Sequence, residues 1–182
     1  LLWNFVRARF FPMSHLPRNE RARSLWARTK FHLWPQRYWL ASFHPRSATD
    51  AARLLVSDPC PFGALVRDRD EVSLTIEEGL WKRSRLRRRA RAESGPFKAI
   101  TFDLALEMDL VGYLAPATAR LAIAAVSVVP QCAFTTDHIL VHAEDAGKAL
   151  RVLEELRRDC RRKVRRKGSR ARAGRKRRAA RA

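Results

Sequence analysis

Glycine is scarce in this sequence: the seven residues do not cluster, so there is neither a P-loop nor a GxGxxG dinucleotide turn. Cys60, Cys132 and Cys160 share no CxxC spacing, which removes a zinc ribbon and a disulfide framework. No G-x-S-x-G elbow is present, and no Ser or Cys has a recognisable base partner. A catalytic role therefore has no motif behind it, and no enzyme activity, cofactor or metal is expected. His138 and His142 lie on one face of a strand but too far apart along it for a compact metal site. Long apolar runs are missing as well. The longest, residues 110–129, has Arg120 at its middle and Pro116 in its first half, and its β-branched end reads as a strand after a helix. No membrane span is expected.

Negative charge is nearly absent from three short segments. The chain of 182 residues holds 38 Lys and Arg against 18 acids, a net charge of +20. Residues 1–30 carry seven basic residues and one acid, residues 81–100 eight and one, and residues 161–182 thirteen and none. The two apolar-rich segments between them, 31–80 and 101–160, are both net acidic. The composition thus describes a mildly acidic globule with three cationic appendages. Such charge density keeps 161–182 from burying a core of its own. Each appendage is either a solvated run or a binder of polyanions, and the excess of Arg over Lys favours bidentate phosphate contacts.

The globule reads as alternating strands and helices. Ile100, Phe102, Leu104 and Leu106 share one face of a strand over 100–107, and residues 113–125 read as a helix. Strands are expected at 126–129, ended by Pro130, and at 134–142. A helix from 146 then places Ala149, Leu150, Leu153, Leu156 and Cys160 on one face. Earlier in the chain, 37–44 reads as a strand, 48–56 as a helix, and 63–67 and 71–77 as a hairpin. Two βαββ units in tandem can share one continuous antiparallel sheet, which suits this length better than two independent domains. The division expected is an arm (1–30), a first half (31–80), a basic loop (81–95), a second half (96–160) and a tail (161–182).

The run from Gly95 to Leu150 resembles the ACT domain. The residues that carry the likeness are Asp109, Gly112, Leu114 and Ala115, matching a D-x-x-G-x-L-A turn, and Thr136 to Val141, matching a T-D-[YH]-I-L-V strand. Asp70 to Leu74 is similar to a D-E-[IV]-S-[LV] strand of a first repeat, so the likeness spans about residues 31–157. Within the family the chain looks like the tandem ACT-like proteins related to the cytosolic arginine sensor. The resemblance implies an α+β, ferredoxin-like ACT-type antiparallel sheet with helices on one face, two tandem ACT-like halves, and extended basic termini. In the family such folds bind small amino acids between repeats and regulate a partner; for this chain the resemblance implies a scaffold that has lost that sensing role. Gln131-Cys132-Ala133-Phe134 departs from the Ser-Thr that the family often has there, so part of the polar ligand shell is missing.

Two functional readings follow. The first is a non-catalytic structural RNA-binding protein of a large ribonucleoprotein, a lineage-specific mitochondrial ribosomal protein contacting rRNA and neighbouring ribosomal proteins. Its binding residues would be Lys82, Arg83, Arg85, Arg87, Arg88, Arg89 and Arg91 in the loop. In the tail they would be Arg161, Arg162, Lys163, Arg165, Arg166, Lys167, Arg170, Arg172, Arg175, Lys176, Arg177 and Arg178. The Arg-rich opening from Leu1, with Trp and Phe between charges, resembles in composition the region just inside an organellar import signal. That reading places the protein in the mitochondrial matrix, with plastid and cytoplasm as alternatives. The second reading is an ACT-type regulatory module whose amino-acid pocket, vestigial under the first reading, involves Asp109, Gly112, Thr136 and Asp137. These aspartates either contact an ammonium group or cap local turns. Trp3, Trp26, Trp34, Trp39 and Trp81 either stack on bases, dock on a partner or anchor the arm to the core.

Overall fold

A computed structural model describes residues 16–57 and 62–179, with side chains as far as 169. Trp3 and Cys60 lie outside the described residues, as do the side chains of Arg170, Arg172, Arg175, Lys176, Arg177 and Arg178.

The elements run α1 (Glu20–Trp26), β1 (Lys30–Leu33), β2 (Tyr38–Phe43), α2 (Ala48–Val56), β3 (Ala64–Arg67), β4 (Val72–Glu77) and α3 (Glu78–Arg83). A 3-10 turn (Arg85–Arg89) leads to β5 (Ala92–Asp103), α4 (Ala115–Ile123), β6 (Val129–Cys132), β7 (Asp137–His142) and the long α5 (Ala146–Ala179). All strand pairs are antiparallel, in the order β3-β4-β2-β5-β7-β6, with β1 also on β5. The long strand β5 is shared. The N-terminal half of β5 pairs with β2, and its C-terminal half pairs with β1, from Lys30↔Asp103 to Leu33↔Ile100. One unit is thus β2-α2-β3-β4-α3 closed by the start of β5. The other is β5-α4-β6-β7-α5 closed by β1, which arrives from the opposite end of the sequence.

Helices cover one face. Strand alternation sends Ile100, Phe102, Ile139 and Val141 against Trp26, Leu121, Leu153, Leu156 and Cys160 in the second unit. It sends Ala41, Phe43, Val72, Leu74 and Ile76 against Ala51, Trp81 and Leu86 in the first. The helix-free face is concave and holds a smaller core of Tyr38, Phe62, Phe97, Ala99 and Leu140. Across it, Gln131 Nε2 on β6 donates to Thr75 Oγ1 on β4 at 2.5 Å, although three strands separate them in the sheet order. A register shift between Tyr38 and Leu40, opposite Gly95–Pro96, bends the central pair and keeps Tyr38 and Phe97 on the same face.

Some local expectations shift. β6 starts at Val129 and passes through Pro130, because it is an edge strand and needs no N–H there. β5 starts at Ala92 and ends at Asp103, so Leu104 and Leu106 leave the strand. The arm is not a loose appendage from Leu16 onward. Asn19 caps α1 by accepting from Arg21 N at 2.8 Å, and Trp26 is fully buried, its indole stacked on Tyr113. Ala22 and Trp26, four apart behind an Asn-Glu start, were the legible signal for this helix.

Candidate functional site

Between the end of β5 and the start of α4, residues 104–114 form a long loop over the β6–β7 turn. Leu106 N donates to Thr135 O at 2.7 Å, and Ala133 N to Thr136 O at 2.9 Å, so loop and turn are pinned together. Leu110 N closes a turn on Glu107 O at 3.0 Å, and Gly112 follows at φ +78°, a backbone angle that favours glycine. The two segments enclose a cleft of about 250 Å³ whose walls include Leu106, Leu110, Tyr113, Cys132, Thr136 and Asp137. Its rim is apolar and open: Phe134 is 81% exposed and Met108 78%. The first unit has no such loop, since only residues 44–47 separate β2 from α2.

Tyr113 forms the floor. Its carbonyl accepts from Trp26 Nε1 at 2.8 Å, its hydroxyl meets Thr29 Oγ1 at 2.6 Å, and burial pushes its phenol up. Two acids line the cleft, Glu107, which is paired with Arg21, and Asp137. Desolvation, and a hydrogen bond from the thiol to the Asp137 carboxylate, push Cys132 up to about 11, so the thiol stays protonated at neutral pH. Behind Asp137 runs a polar chain. Trp34 Nε1 donates to Thr101 Oγ1 at 2.9 Å, Thr101 Oγ1 meets His138 Nδ1 at 2.8 Å, and His138 Nε2 lies 3.4 Å from Thr136 Oγ1. Desolvation lowers the His138 pKa against the opposing pull of Asp137. The imidazole is therefore mostly neutral at pH 7, held between two threonines.

Of the four residues expected at a pocket, Thr136 and Asp137 line the cleft. Asp109 is exposed on the loop, where its Oδ2 faces Arg21 NH1 at 3.6 Å; Arg21 also bonds Glu107, so α1 holds this loop from outside. Gly112 shapes the loop and has open space where a side chain would be. Sequence reasoning missed Leu106, Tyr113 and Cys132, the first two brought to the cleft by the 104–114 loop and the third by the end of β6. Only the hydrophobicity of Leu106 and Tyr113 beside the D-x-x-G turn pointed to them.

The basic residues divide by partner. In the 81–91 block, Lys82 pairs with Glu78 at 2.9 Å, Arg87 with Glu93 at 2.5 Å, and Arg89 with Asp50 at 2.6 Å. Arg91 NH1 donates to Asp70 O at 3.0 Å. Arg83 has an interaction of its own, and it is exposed, as are Arg85 and Arg88. The block is folded as the end of α3 and a 3-10 turn rather than as a loop, because Trp81 and Leu86 are buried beneath it. In α5, Arg161 Nε donates to Ala27 O at 2.6 Å, Arg162 pairs with Asp159 at 2.8 Å, and Lys167 bonds Glu20. Lys163, Arg165 and Arg166 are exposed on the same helix.

Residues 94–155 match the family model of the ACT domain, a segment that runs from β5 into α5 and contains the cleft. No curated protein matches the chain. Among solved structures, a Vibrio cholerae protein of unknown function, described as a possible transport protein, has 23% identity and a TM-score of 0.59, covering 74% of this chain and 94% of its own. A protein from Agrobacterium tumefaciens has 19% identity and a TM-score of 0.58, covering 71% and 89%. The ligand-free regulatory subunit of aspartate kinase from Thermus thermophilus has 9% identity and a TM-score of 0.52, covering 70% and 97%. These likenesses are of fold, and they extend over both units. None of them singles out the arginine-sensor branch of the family.

This corrects the first functional reading. The expectation of a mitochondrial ribosomal protein, with rRNA and neighbouring ribosomal proteins as partners, is overturned by the ACT match and by a fold shared with a regulatory subunit. The physical reason lies in the charge. Composition counts every guanidinium as available, whereas Lys82, Arg87, Arg89 and Arg162 are spent on carboxylates of the chain itself. The second reading, a regulatory amino-acid-binding module, is the one favoured.

Proposed function

We propose that the protein is a non-catalytic regulatory module that binds a small amino acid in the cleft between the β5–α4 loop and the β6–β7 turn. The observation that carries this reading is Asp137, an acid on the wall of a small cleft with an apolar floor, inside the segment that matches the ACT domain. A carboxylate there suits an α-ammonium group, a charge-assisted contact stronger than a neutral hydrogen bond. Leu106, Leu110 and Tyr113 suit a short aliphatic side chain. A cleft of about 250 Å³ excludes large ligands. The groups present are poor catalysts: the Cys132 thiol is held protonated, and both nitrogens of His138 face threonine hydroxyls. Regulation would follow from ordering the loop, whose position also sets the contact with α1 through Arg21.

The test is a thermal-shift screen of the full chain against the twenty amino acids. A ligand at a hundred times its Kd stabilises by about 2.7 kcal/mol, which is a rise of several degrees in Tm for a protein of this size. One small amino acid is expected to give that rise, and Asp137→Asn is expected to abolish it while leaving the unliganded Tm nearly unchanged. If no amino acid raises the Tm, or Asp137→Asn responds like the wild type, the reading fails.

A further inference from the structure

The folded block from Lys82 to Arg91 has a feature that the regulatory reading does not use. Lys82, Arg83, Arg85, Arg87, Arg88 and Arg91 line one concavity of about 600 Å³, in which Glu93 is the acidic wall residue. Glu93 is already committed, accepting from Arg87 Nε at 2.8 Å and from Trp81 Nε1 at 3.0 Å. Lys82, Arg87 and Arg91 have their own partners. Arg85 and Arg88 have none among the described residues, and both are exposed.

Their spacing matters. In a 3-10 helix, residues i and i+3 eclipse one another, so Arg85 and Arg88 project from the same edge of the turn. The turn itself is fixed. Ser84 caps it by accepting from Leu86 N at 3.0 Å, Leu86 is buried in the core of the first unit, and Arg89 ties its end to Asp50 and Ser47. Two Arg side chains thus start from one edge of a folded turn, with no internal anion to neutralise them among the described residues. Each guanidinium fork matches two oxygens of one phosphate group. Adjacent forks match linked phosphates better than a single one.

We propose that this cup is a binding site for an oligophosphate, either free or carried by a nucleotide, held by Arg85 and Arg88. Its size is that of a small-molecule site, and its rim is already folded, so little ordering entropy opposes binding. The site lies on the first unit, and its existence does not depend on the amino-acid cleft of the second.

Isothermal titration of the full chain at constant physiological ionic strength tests this, with inorganic tripolyphosphate, a nucleoside triphosphate and sulfate as separate probes. Saturable one-to-one binding of tripolyphosphate is expected, tighter than any binding of sulfate. R85Q/R88Q is expected to weaken it by at least about tenfold, the scale of losing charge-assisted hydrogen bonds. K163Q/R165Q removes the same charge from exposed positions of α5 and is expected to leave binding unchanged. If R85Q/R88Q lowers the unliganded Tm, R85K/R88K replaces it and is expected to bind several-fold more weakly, because a point charge replaces a fork. Tighter binding of the nucleoside triphosphate than of tripolyphosphate makes the nucleotide the source, and equal binding makes it the free oligophosphate. Absence of saturable binding, or equal weakening by the variants at 85/88 and 163/165, overturns the proposal.

Discussion

Single residues decide the bend of the central strand pair. Gly95 sits at φ +152° where β5 bends, and a Cβ there would lie 3.0 Å from both Trp39 Cδ2 and Tyr38 O. Neither can yield easily, since one is ring and the other is backbone of the central strand. Gly95→Ala is therefore expected to destabilise by about 1–3 kcal/mol, the usual cost of backbone strain at such angles. Urea unfolding measures it, and an unchanged midpoint would show that the bend has no such constraint. Gly112 is different: its φ of +78° matters, but the space beside it is open, so its constraint is conformational alone. Thr136 and Asp137 were legible through their match to the T-D-[YH]-I-L-V strand of the ACT domain, and both line the cleft. Cys132 was not, since a lone cysteine in an edge strand carries no periodic signal.

At the scale of elements, α1 and α5 show where charge misled and where periodicity held. Ala149, Leu153, Leu156 and Cys160 face the core as their spacing requires. Seven basic residues in the first thirty concealed α1, although Ala22 and Trp26 mark its buried stripe. Trp26 contacts the rings of Phe31, Phe102 and Tyr113 and donates to Tyr113 O. Trp26→Ala is expected to cost about 3–5 kcal/mol, as for other large buried aromatics. A loss below 1 kcal/mol in chemical denaturation would mean that α1 is an appendage after all. Pro130 misled in the other direction. Its missing N–H suggests a strand end, but an edge strand leaves that side unpaired, so β6 runs through it.

For the molecule as a whole, the pairing of two units by exchange of their closing strands was only half visible. The βαββ order of each half can be read from hydrophobic alternation. That β1 closes the second unit, seventy residues before β5 ends, is a long-range pairing that no local pattern encodes. One amino-acid cleft and not two is built because, although the units share a fold, only the second has the 104–114 loop. The amino-acid cleft and the cationic cup lie on different units of one continuous sheet, so ligands at the two sites would act on a common scaffold.

The most direct measurement of the central claim is an amide chemical-shift titration of the full chain with the amino acid that gives the largest thermal shift. The cleft predicts saturable changes concentrated in residues 104–114 and 132–138, with little change at α2, β3 and the 82–91 block. Changes confined to other parts of the chain, or no saturable change with any amino acid, would contradict it.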